Sequence, residues 1–330
     1  MVSLAPIILF LHFILSLFGN AQGALTFNVI KFGAKPDGKT DATQAFLRAW
    51  SSACTSRSTA YLVVGGALDA KEKDFGNARL PARISITFNW VNDAKISGLT
   101  SINSQLMHLV INSCKNVKVS NVKIIAPDLS PNTDGIHVQS STGITITNSI
   151  IKTGDDCISI GPGTRNLWME KIQCGPGHGV SIGSLGRDFN EDGVENVTLI
   201  NSVFTGSDNG LRIKTWARPS KGFVRNINYR NIVMKNVENP IIIDQNYCPN
   251  NQGCPRQTSG IKISQVTYQN IQGTSATQVA MAFDCSPTNP CTGIKLSDIK
   301  LTYLNSRKAQ SFCKNIGGTS GGVIMPENCL

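Results

Sequence analysis

Residues 132–163 read NTDGIHVQSSTGITITNSIIKTGDDCISIGPG and contain three short runs in which apolar and polar residues alternate. Alternation with a period of two is typical of a β-strand that buries one face. Three carboxylates, Asp134, Asp155 and Asp156, lie directly before two of these runs. A carboxylate beside a buried strand is costly unless it has a partner or a use. The fold must therefore explain why these acids recur with the strands.

The same unit recurs along most of the chain. Similar segments begin, at intervals of 23 to 34 residues, at Asp93, Asn116, Gly143, Asn166, Asn196, Asn226, Gly260 and Gly293. A second set of strand-like runs lies between them, including GIHVQS, DCISIG, GVSIGS and GLRIKT. Self-similarity at this period predicts a solenoid. Leucine-rich and helical repeats do not fit, because their leucine spacing and amphipathic helices are absent. We predict an all-β fold, a single-stranded right-handed parallel β-helix with stacked aliphatic side chains inside.

One short helix is predicted before the repeats. The stretch KTDATQAFLRAW, residues 39–50, places Ala45, Phe46, Ala49 and Trp50 on one face. We expect this helix to cap the open end of the solenoid, where uncovered strand edges would pair with other chains.

A side-chain amide recurs at the sixth position of the first strand of each unit. That position holds Gly98, Asn121, Asn148, Lys171, Asn201, Asn231, Gln265 and Asp298. Asparagine favours turns because its side chain hydrogen-bonds nearby backbone. The pattern predicts a stacked amide ladder at a corner of the coils, with ordinary asparagine-rich turns as the alternative.

The apolar run at the start of the chain predicts a secretory signal peptide over residues 1–23, followed by one domain over residues 24–330. A membrane anchor is the alternative, but the run is shorter than the roughly 20 residues that a span requires. Ten cysteines in a secreted chain favour disulfides. Proximity in sequence suggests the pairs Cys157–Cys174, Cys248–Cys254, Cys285–Cys291 and Cys313–Cys329, which leaves Cys54 and Cys114.

The charge balance indicates an acidic partner. The chain has 31 Lys and Arg against 21 Asp and Glu, a formal net charge of +10. The basic residues are dispersed and no nucleic-acid module is present, so we expect an acidic polysaccharide as partner, with no nucleic acid and no membrane. We also expect a monomer.

The repeat brings the polar candidates together. Residues one coil apart in a parallel β-helix lie roughly 4.8 Å apart. The set expected on one face is Asp134, Asp155, Asp156, His178, Arg212, Lys214 and Tyr247. Repulsion among the carboxylates should raise the pKa of one of them, as glycoside hydrolysis requires of its general acid. The two cations suit a substrate that carries carboxylates, and they argue against calcium, the alternative for clustered acids. Each residue alone could instead be a turn or a solvated side chain.

Four motifs carry a family resemblance. NTDGIH, TGDDCISIGPG, GPGHGVSIGSLG and RIKTW resemble, in this order, the signature set of plant polygalacturonases in glycoside hydrolase family 28. The N-terminal stretch FNVIKFGAKPDGKTDATQAF and the segment IIIDQNYC also resemble that family. The resemblance implies a pectin lyase-like solenoid and an inverting hydrolase of α-1,4-linked galacturonic acid in pectin, with no metal or organic cofactor. WARPSKGF together with DQNYCPNNQGCP is most similar to pollen-type exopolygalacturonases.

The resemblance also implies a role for each candidate residue. Asp155 would be the general acid, and Asp134 and Asp156 would hold the attacking water as base. His178 would lie beside the acid and maintain its protonation state. In the remaining positions the resemblance implies a galacturonate carboxylate site at Arg212 and Lys214 and a sugar contact at Tyr247. Secretion to the cell wall follows from the same resemblance.

The chain departs from the family between Val64 and Gly65. The strand YLVV runs directly into GGALD, where the family has tens of further residues. We expect the first two or three coils to be missing, through a splice variant, a faulty gene model or a genuine shortening. Two alternatives to a hydrolase stay open: a pectate lyase, and a shortened homologue that binds pectin without cleaving it.

Overall fold

A computed structural model describes residues 25–35, 40, 42–55, 60–69, 84–304 and 307–330. The signal peptide predicted over residues 1–23 lies outside the described residues. The described chain contains the helix α1, Thr43–Thr55, and 3-10 helices at Val29–Phe32 and Pro249–Asn251.

All other regular elements are strands of two parallel sheets. The first sheet comprises β1 Leu25–Asn28, β2 Ala60–Asp69, β4 Lys95–Ile102, β6 Lys118–Ser120, β7 Lys123–Ile125, β9 Thr142–Lys152, β11 Arg165–Cys174, β13 Val194–Thr205, β15 Phe223–Val237, β17 Lys262–Ser275, β19 Cys291–Tyr303 and β21 Ile316–Met325. The second comprises β3 Ile86–Asn89, β5 Leu109–Asn112, β8 Ile136–Gln139, β10 Ile158–Ile160, β12 Val180–Leu185, β14 Asn209–Trp216, β16 Asn239–Tyr247, β18 Val279–Asp284 and β20 Gln310–Lys314. The chain alternates between the sheets, and each coil pairs with the next, so the predicted right-handed parallel β-helix is confirmed.

In-register stacking of aliphatic side chains forms the core. In the second sheet, Ile136, Ile158, Val180, Leu211 and Ile241 are paired neighbours on five successive strands. All five are fully buried. Burying such a side chain stabilises the fold by roughly 1.5–3 kcal/mol, so every added coil extends the stack that stabilises its neighbour.

The amide ladder is present, with a corrected register. Asn231 Nδ2 donates to Asn201 Oδ1 at 2.9 Å, and Asn270 Nδ2 donates to Asn231 Oδ1 at 2.9 Å. The three residues have φ between 50° and 56°, the left-handed region that asparagine tolerates. Placing Gln265 in this ladder was wrong, because Val266 pairs with Ile227, and Asn270 is therefore the member of that coil.

A second ladder runs along the preceding corner and was not anticipated. Asn116 Nδ2 donates to Asp93 Oδ1, and Asn196 Nδ2 donates to Asn166 Oδ1, each at 3.0 Å. Gln265 belongs to this line, with φ 56° like its neighbours. Two polar ladders therefore fix both corners of the long strands.

Helix α1 closes the N-terminal end as predicted. Ala45 and Ala49 are buried, and the rings of Phe46 and Trp50 lie 6.5 Å and 5.2 Å from the ring of Phe88 on β3. The helix thus covers apolar side chains that would otherwise meet solvent.

All four predicted disulfides form, namely Cys157–Cys174, Cys248–Cys254, Cys285–Cys291 and Cys313–Cys329. Cys54 is exposed and Cys114 is buried, and both are unpaired, as the sequence suggested.

The chain passes through Val64 and Gly65 within the single strand β2. Its pairing with β4 shifts register between Val63 and Gly66. Whether coils have been lost at this junction stays a prediction.

The ladder predicts an uneven effect of asparagine substitutions on β15. Asn231→Ala should lower the free energy of unfolding by about 2 kcal/mol, because it removes two amide hydrogen bonds and places alanine in a left-handed conformation. Asn228→Ala, on the same strand but outside the ladders, should cost less than about 0.5 kcal/mol. Urea unfolding followed by circular dichroism measures both, and equal losses would contradict a structural role for the ladder.

Candidate active site

The carboxylates lie where the chain enters the strands of the second sheet. The backbone N–H of Gly135 donates to the carbonyl of Asp156 at 2.9 Å, which joins the segments before β8 and β10. A Cβ at Gly135 would lie 2.3 Å from Ile151 Cγ2 and 2.6 Å from the carbonyl oxygen of Cys157, so only glycine permits this approach. Asp134 and Asp156 therefore occupy equivalent positions on adjacent coils.

Asp156 is the most completely bound of the three acids. It is buried; Lys214 Nζ lies 2.7 Å from its Oδ2, and Ser181 Oγ donates to its Oδ1 at 2.6 Å. Burial works to lower the pKa of Lys214, but the charge of Asp156 outweighs it, and the pKa of Lys214 is raised. The pair places a permanent cation inside the acid cluster.

Asp155 is half-buried and pairs with His178. His178 Nδ1 lies 3.0 Å from Asp155 Oδ1, and His178 Nε2 lies 3.5 Å from Asp208 Oδ2. The hydrogen bond that His178 donates to Asp155 raises the pKa of His178 against the effect of burial. Burial works to raise the pKa of Asp155, but the hydrogen bond and charge of His178 outweigh it, and the pKa of Asp155 is lowered. One proton is thus shared across a short contact between imidazole and carboxylate.

Asp134 is buried and forms no ion pair with any residue that the structure describes. Burial, followed by the negative charges of Asp156 and Asp155, raises its pKa to about 7, while a hydrogen bond from Ser159 and the charge of Lys214 oppose the shift. The raised pKa expected from the clustered acids is therefore present, but on Asp134 and not on Asp155. The reason is that Asp155 has His178 as a partner, whereas Asp134 has only a hydroxyl.

The remaining candidates form a cationic wall beside the acids. Arg212 Cζ lies 5.2 Å and Lys214 Nζ 5.4 Å from the centre of the Tyr247 ring. Tyr247 packs edge-on against Trp216 at 5.2 Å. Arg212 Nε is buried and has no hydrogen-bond partner among the described residues. A buried, unsatisfied guanidinium nitrogen next to an aromatic ring is suited to binding a carboxylate on a sugar.

All seven candidate residues are thus linked by contacts or by electrostatic interaction. Sequence reasoning missed Ser159, Ser181, Asp208 and Trp216. The two serines could have been found, because each lies between two aliphatic residues of its strand, in Ile158-Ser159-Ile160 and in Val180-Ser181-Ile182.

Ligand atoms of Asp155, Asp156 and His178 lie within 4.8 Å of one another, a spacing that a cation could also use. Lys214, Ser181 and His178 already donate to these carboxylate oxygens, which suits proton transfer better than metal binding.

Fold and site together define a class of protein: a parallel β-helix that carries a cluster of carboxylates with a cationic wall beside it. The sequence profile described as Glycosyl hydrolases family 28 matches residues 67–322. The chain belongs to this family, and it is a pectin-degrading glycoside hydrolase of the polygalacturonase type.

Relatives agree with this assignment. A polygalacturonase of Prunus persica is 46% identical over 369 residues, covering 93% of this chain and 94% of the relative. An exopolygalacturonase of Platanus acerifolia is 43% identical over 247 residues, covering 74% of this chain and 65% of the relative. Among solved structures, endo-xylogalacturonan hydrolase from Aspergillus tubingensis has the same fold, with a TM-score of 0.68 and 19% identity over 92% of this chain and 100% of that one. Within the described residues, no helix is long and apolar enough to cross a membrane.

The buried Lys214–Asp156 pair predicts a large loss of stability when the cation is removed. Lys214→Met should destabilise the protein by about 3 kcal/mol, because it leaves a buried carboxylate uncompensated. Lys314→Met is the matched control: Lys314 Nζ lies 3.7 Å from Asp284 with 56% of its side chain exposed, so its loss should cost less than about 1 kcal/mol. Denaturant unfolding at neutral pH measures the difference, and similar values would contradict the burial argument.

Proposed function

We propose that this chain hydrolyses the α-1,4-galacturonosyl linkages of polygalacturonate and pectin with inversion, releasing galacturonate from chain ends. The observation that carries the proposal is the buried three-carboxylate cluster beside the unsatisfied guanidinium of Arg212. Inverting hydrolysis needs one group that donates a proton and a separate carboxylate that activates water. An acidic sugar needs a cation beside that machinery.

In the proposed mechanism, Asp155 and His178 act as the acid. The His178 imidazolium donates from Nδ1 to Asp155 Oδ1, and the two atoms lie 3.0 Å apart. As the glycosidic bond breaks, the Nδ1 proton of His178 moves to Asp155 and from Asp155 to the leaving oxygen, which leaves Asp155 ionised and His178 neutral. This assignment accounts for a catalytic acid whose own pKa is low in the free enzyme, because the proton is stored on its partner.

Asp134 and Asp156 hold the attacking water in this proposal. Asp156 is oriented by Lys214 and Ser181, so its geometry is fixed before substrate arrives. Asp134 has a raised pKa and is able to take the proton of the water once it is ionised. Arg212 and Lys214 bind the galacturonate carboxylate, and the Tyr247 ring packs against the sugar.

We also propose that the chain is a secreted, shortened monomer with its domain over residues 24–330. The alignment with the peach relative runs over 369 residues, which is more than the 330 residues of this chain, of which 93% take part. That relative therefore contains residues without a counterpart here. This supports lost coils near Val64 and Gly65. The similarity to an exopolygalacturonase supports release from chain ends.

Product analysis tests the proposed activity. The chain from Ala24 onward, incubated with polygalacturonate, should release galacturonate monomers as new reducing ends, and proton NMR should show the inverted anomer first. Asp155→Asn should reduce kcat by at least about 10³-fold with the fold unchanged, because it removes the proton donor.

Asp188→Asn, on an exposed loop, is the matched control and should retain full activity. A ladder of oligomers would contradict chain-end release, and ultraviolet-absorbing unsaturated products would indicate a lyase. Binding to pectin without any cleavage by a folded chain would contradict hydrolysis altogether.

The role proposed for His178 as the proton store of the acid predicts how kcat/KM depends on pH. Its raised pKa keeps the proton available above pH 6.5, so kcat/KM of the unchanged enzyme should fall only above that pH. His178→Gln removes the stored proton, so kcat should fall about 10- to 100-fold and the alkaline limb should move to lower pH. The pH profile of kcat/KM measures this, and an unmoved alkaline limb would exclude His178 from the acid.

A further inference from the structure

A row of polar side chains crosses the second sheet beside the acids. His137, Ser159, Ser181 and Arg212 are paired neighbours on β8, β10, β12 and β14. Ser181 Oγ donates to Asp156, one coil back. Ser159 pairs with Ser181 and takes the same position relative to Asp134, and its hydroxyl works to lower the pKa of that carboxyl. The two serines therefore serve the two proposed water-binding acids in parallel ways.

The two serines differ in their second neighbour. Ser159 Oγ lies 2.7 Å from His137 Nδ1, and His137 Nε2 lies 3.0 Å from Gln139 Oε1. A chain of polar groups thus runs from Asp134 through Ser159 and His137 to Gln139. Gly161 makes room for it, because a Cβ there would lie 2.9 Å from Gln139 Cβ and 3.3 Å from His137 Cε1.

Counting protons along this chain gives two consistent states. The Gln139 carbonyl oxygen accepts only, so His137 Nε2 carries a proton. When His137 is neutral, Nδ1 accepts the single Ser159 proton, and Ser159 can then only accept from a protonated Asp134. When His137 is a cation, Nδ1 donates to Ser159, and Ser159 donates to an ionised Asp134. The hydroxyl proton of Ser159 is therefore contested between a carboxylate and an imidazole.

We propose that His137 is a positioning residue that controls, through the Ser159 hydroxyl, whether Asp134 is ionised and ready to act on water. This inference rests on the role proposed for Asp134 above. Passage between the two states moves one proton: Asp134 gives its proton to Ser159 Oγ, and Ser159 gives its own to His137 Nδ1. The total charge of Asp134, Ser159 and His137 together is unchanged, and no further reactant is needed.

Neighbouring charged groups determine which of the two protonation states of Asp134, Ser159 and His137 is favoured. Asp155, Asp156 and Lys214 face Asp134, and Asp156 and Lys214 also act on His137. On the coil before, His108 is buried with Nδ1 at 2.8 Å from Ser101 Oγ, and burial lowers its pKa to about 4. His108 therefore stays neutral while the other groups titrate. Burial also lowers the pKa of His137, which favours the state in which Ser159 donates to His137.

The first test needs no catalysis. In enzyme labelled with ¹⁵N-histidine, which contains at most four histidines, the His137 signal is identified by its loss in His137→Phe. It should report the neutral tautomer protonated at Nε2. Asp134→Asn imitates the protonated acid, so it should lower the pH midpoint of His137 by about 0.5 to 1 unit. Ser159→Ala should abolish that dependence on Asp134, while Ser181→Ala should leave the His137 midpoint unchanged.

The second test is the acidic limb of kcat/KM, where the base must be ionised. Ser159→Ala removes the donor to Asp134 and should move this limb to higher pH. His137→Phe leaves the Ser159 proton to Asp134 alone and should move it to lower pH. Opposite shifts of about half a unit or more are expected, and the double variant should behave as Ser159→Ala.

The outcomes distinguish a failure of the coupling between His137 and Asp134 from a failure of the proposed hydrolase function. A neutral His137 protonated at Nδ1, or a midpoint indifferent to Asp134→Asn, overturns the coupling even in an inactive enzyme. Shifts of the acidic limb in the same direction in Ser159→Ala and His137→Phe also overturn it. A coupled His137 in an enzyme that does not hydrolyse polygalacturonate would contradict the proposed function and leave the coupling standing.

Discussion

The site depends on one constraint, the in-register parallel pairing of successive coils. The polar positions repeat at the strand spacing, so Asp134, Asp156 and His178 approach each other only while β8, β10 and β12 keep their register. A slip of one residue would turn every side chain to the opposite face. The aliphatic stack inside and the asparagine ladders at the corners resist such a slip from both sides. Core packing and the geometry of the acids therefore both depend on the same strand register.

That constraint creates an electrostatic problem, because it brings three carboxylates together in a poorly solvated place. Each acid meets it differently. Asp156 pairs with the Lys214 cation and Asp155 with the His178 imidazole, whereas Asp134 has the Ser159 hydroxyl as a donor and no ion pair among the described residues. The acid without a cation is the one whose pKa rises, since holding a proton is the remaining way to avoid a buried charge. The distribution of partners thus determines the distribution of protons.

The periodicity of the sequence was enough to predict the solenoid and the gathering of the site. The apolar face of residues 39–50 predicted the capping helix, and proximity in sequence predicted the four disulfides. It failed where coil lengths differ: Gln265 was placed in the wrong ladder because the long coil before it hides the register that pairs Val266 with Ile227. The proton on Asp134 could not be predicted either. Burial and the identity of hydrogen-bond donors decide it, and both are set by three-dimensional neighbours such as Ser159. His137 was overlooked because a single histidine in a strand carries no motif.

The geometry of the site is independent of the coils at the N-terminal end of the solenoid. Each coil contacts only its neighbours, so a loss of coils near Val64 affects stability mainly at the new end. There the rings of Phe46 and Trp50 cover Phe88, and β2 pairs directly with β4. The acids follow only after β5, so their geometry does not rely on that end. The surface on the N-terminal side of His137 does rely on it, so a shortened chain would change that surface without changing the chemistry of Asp134, Asp155 and Asp156.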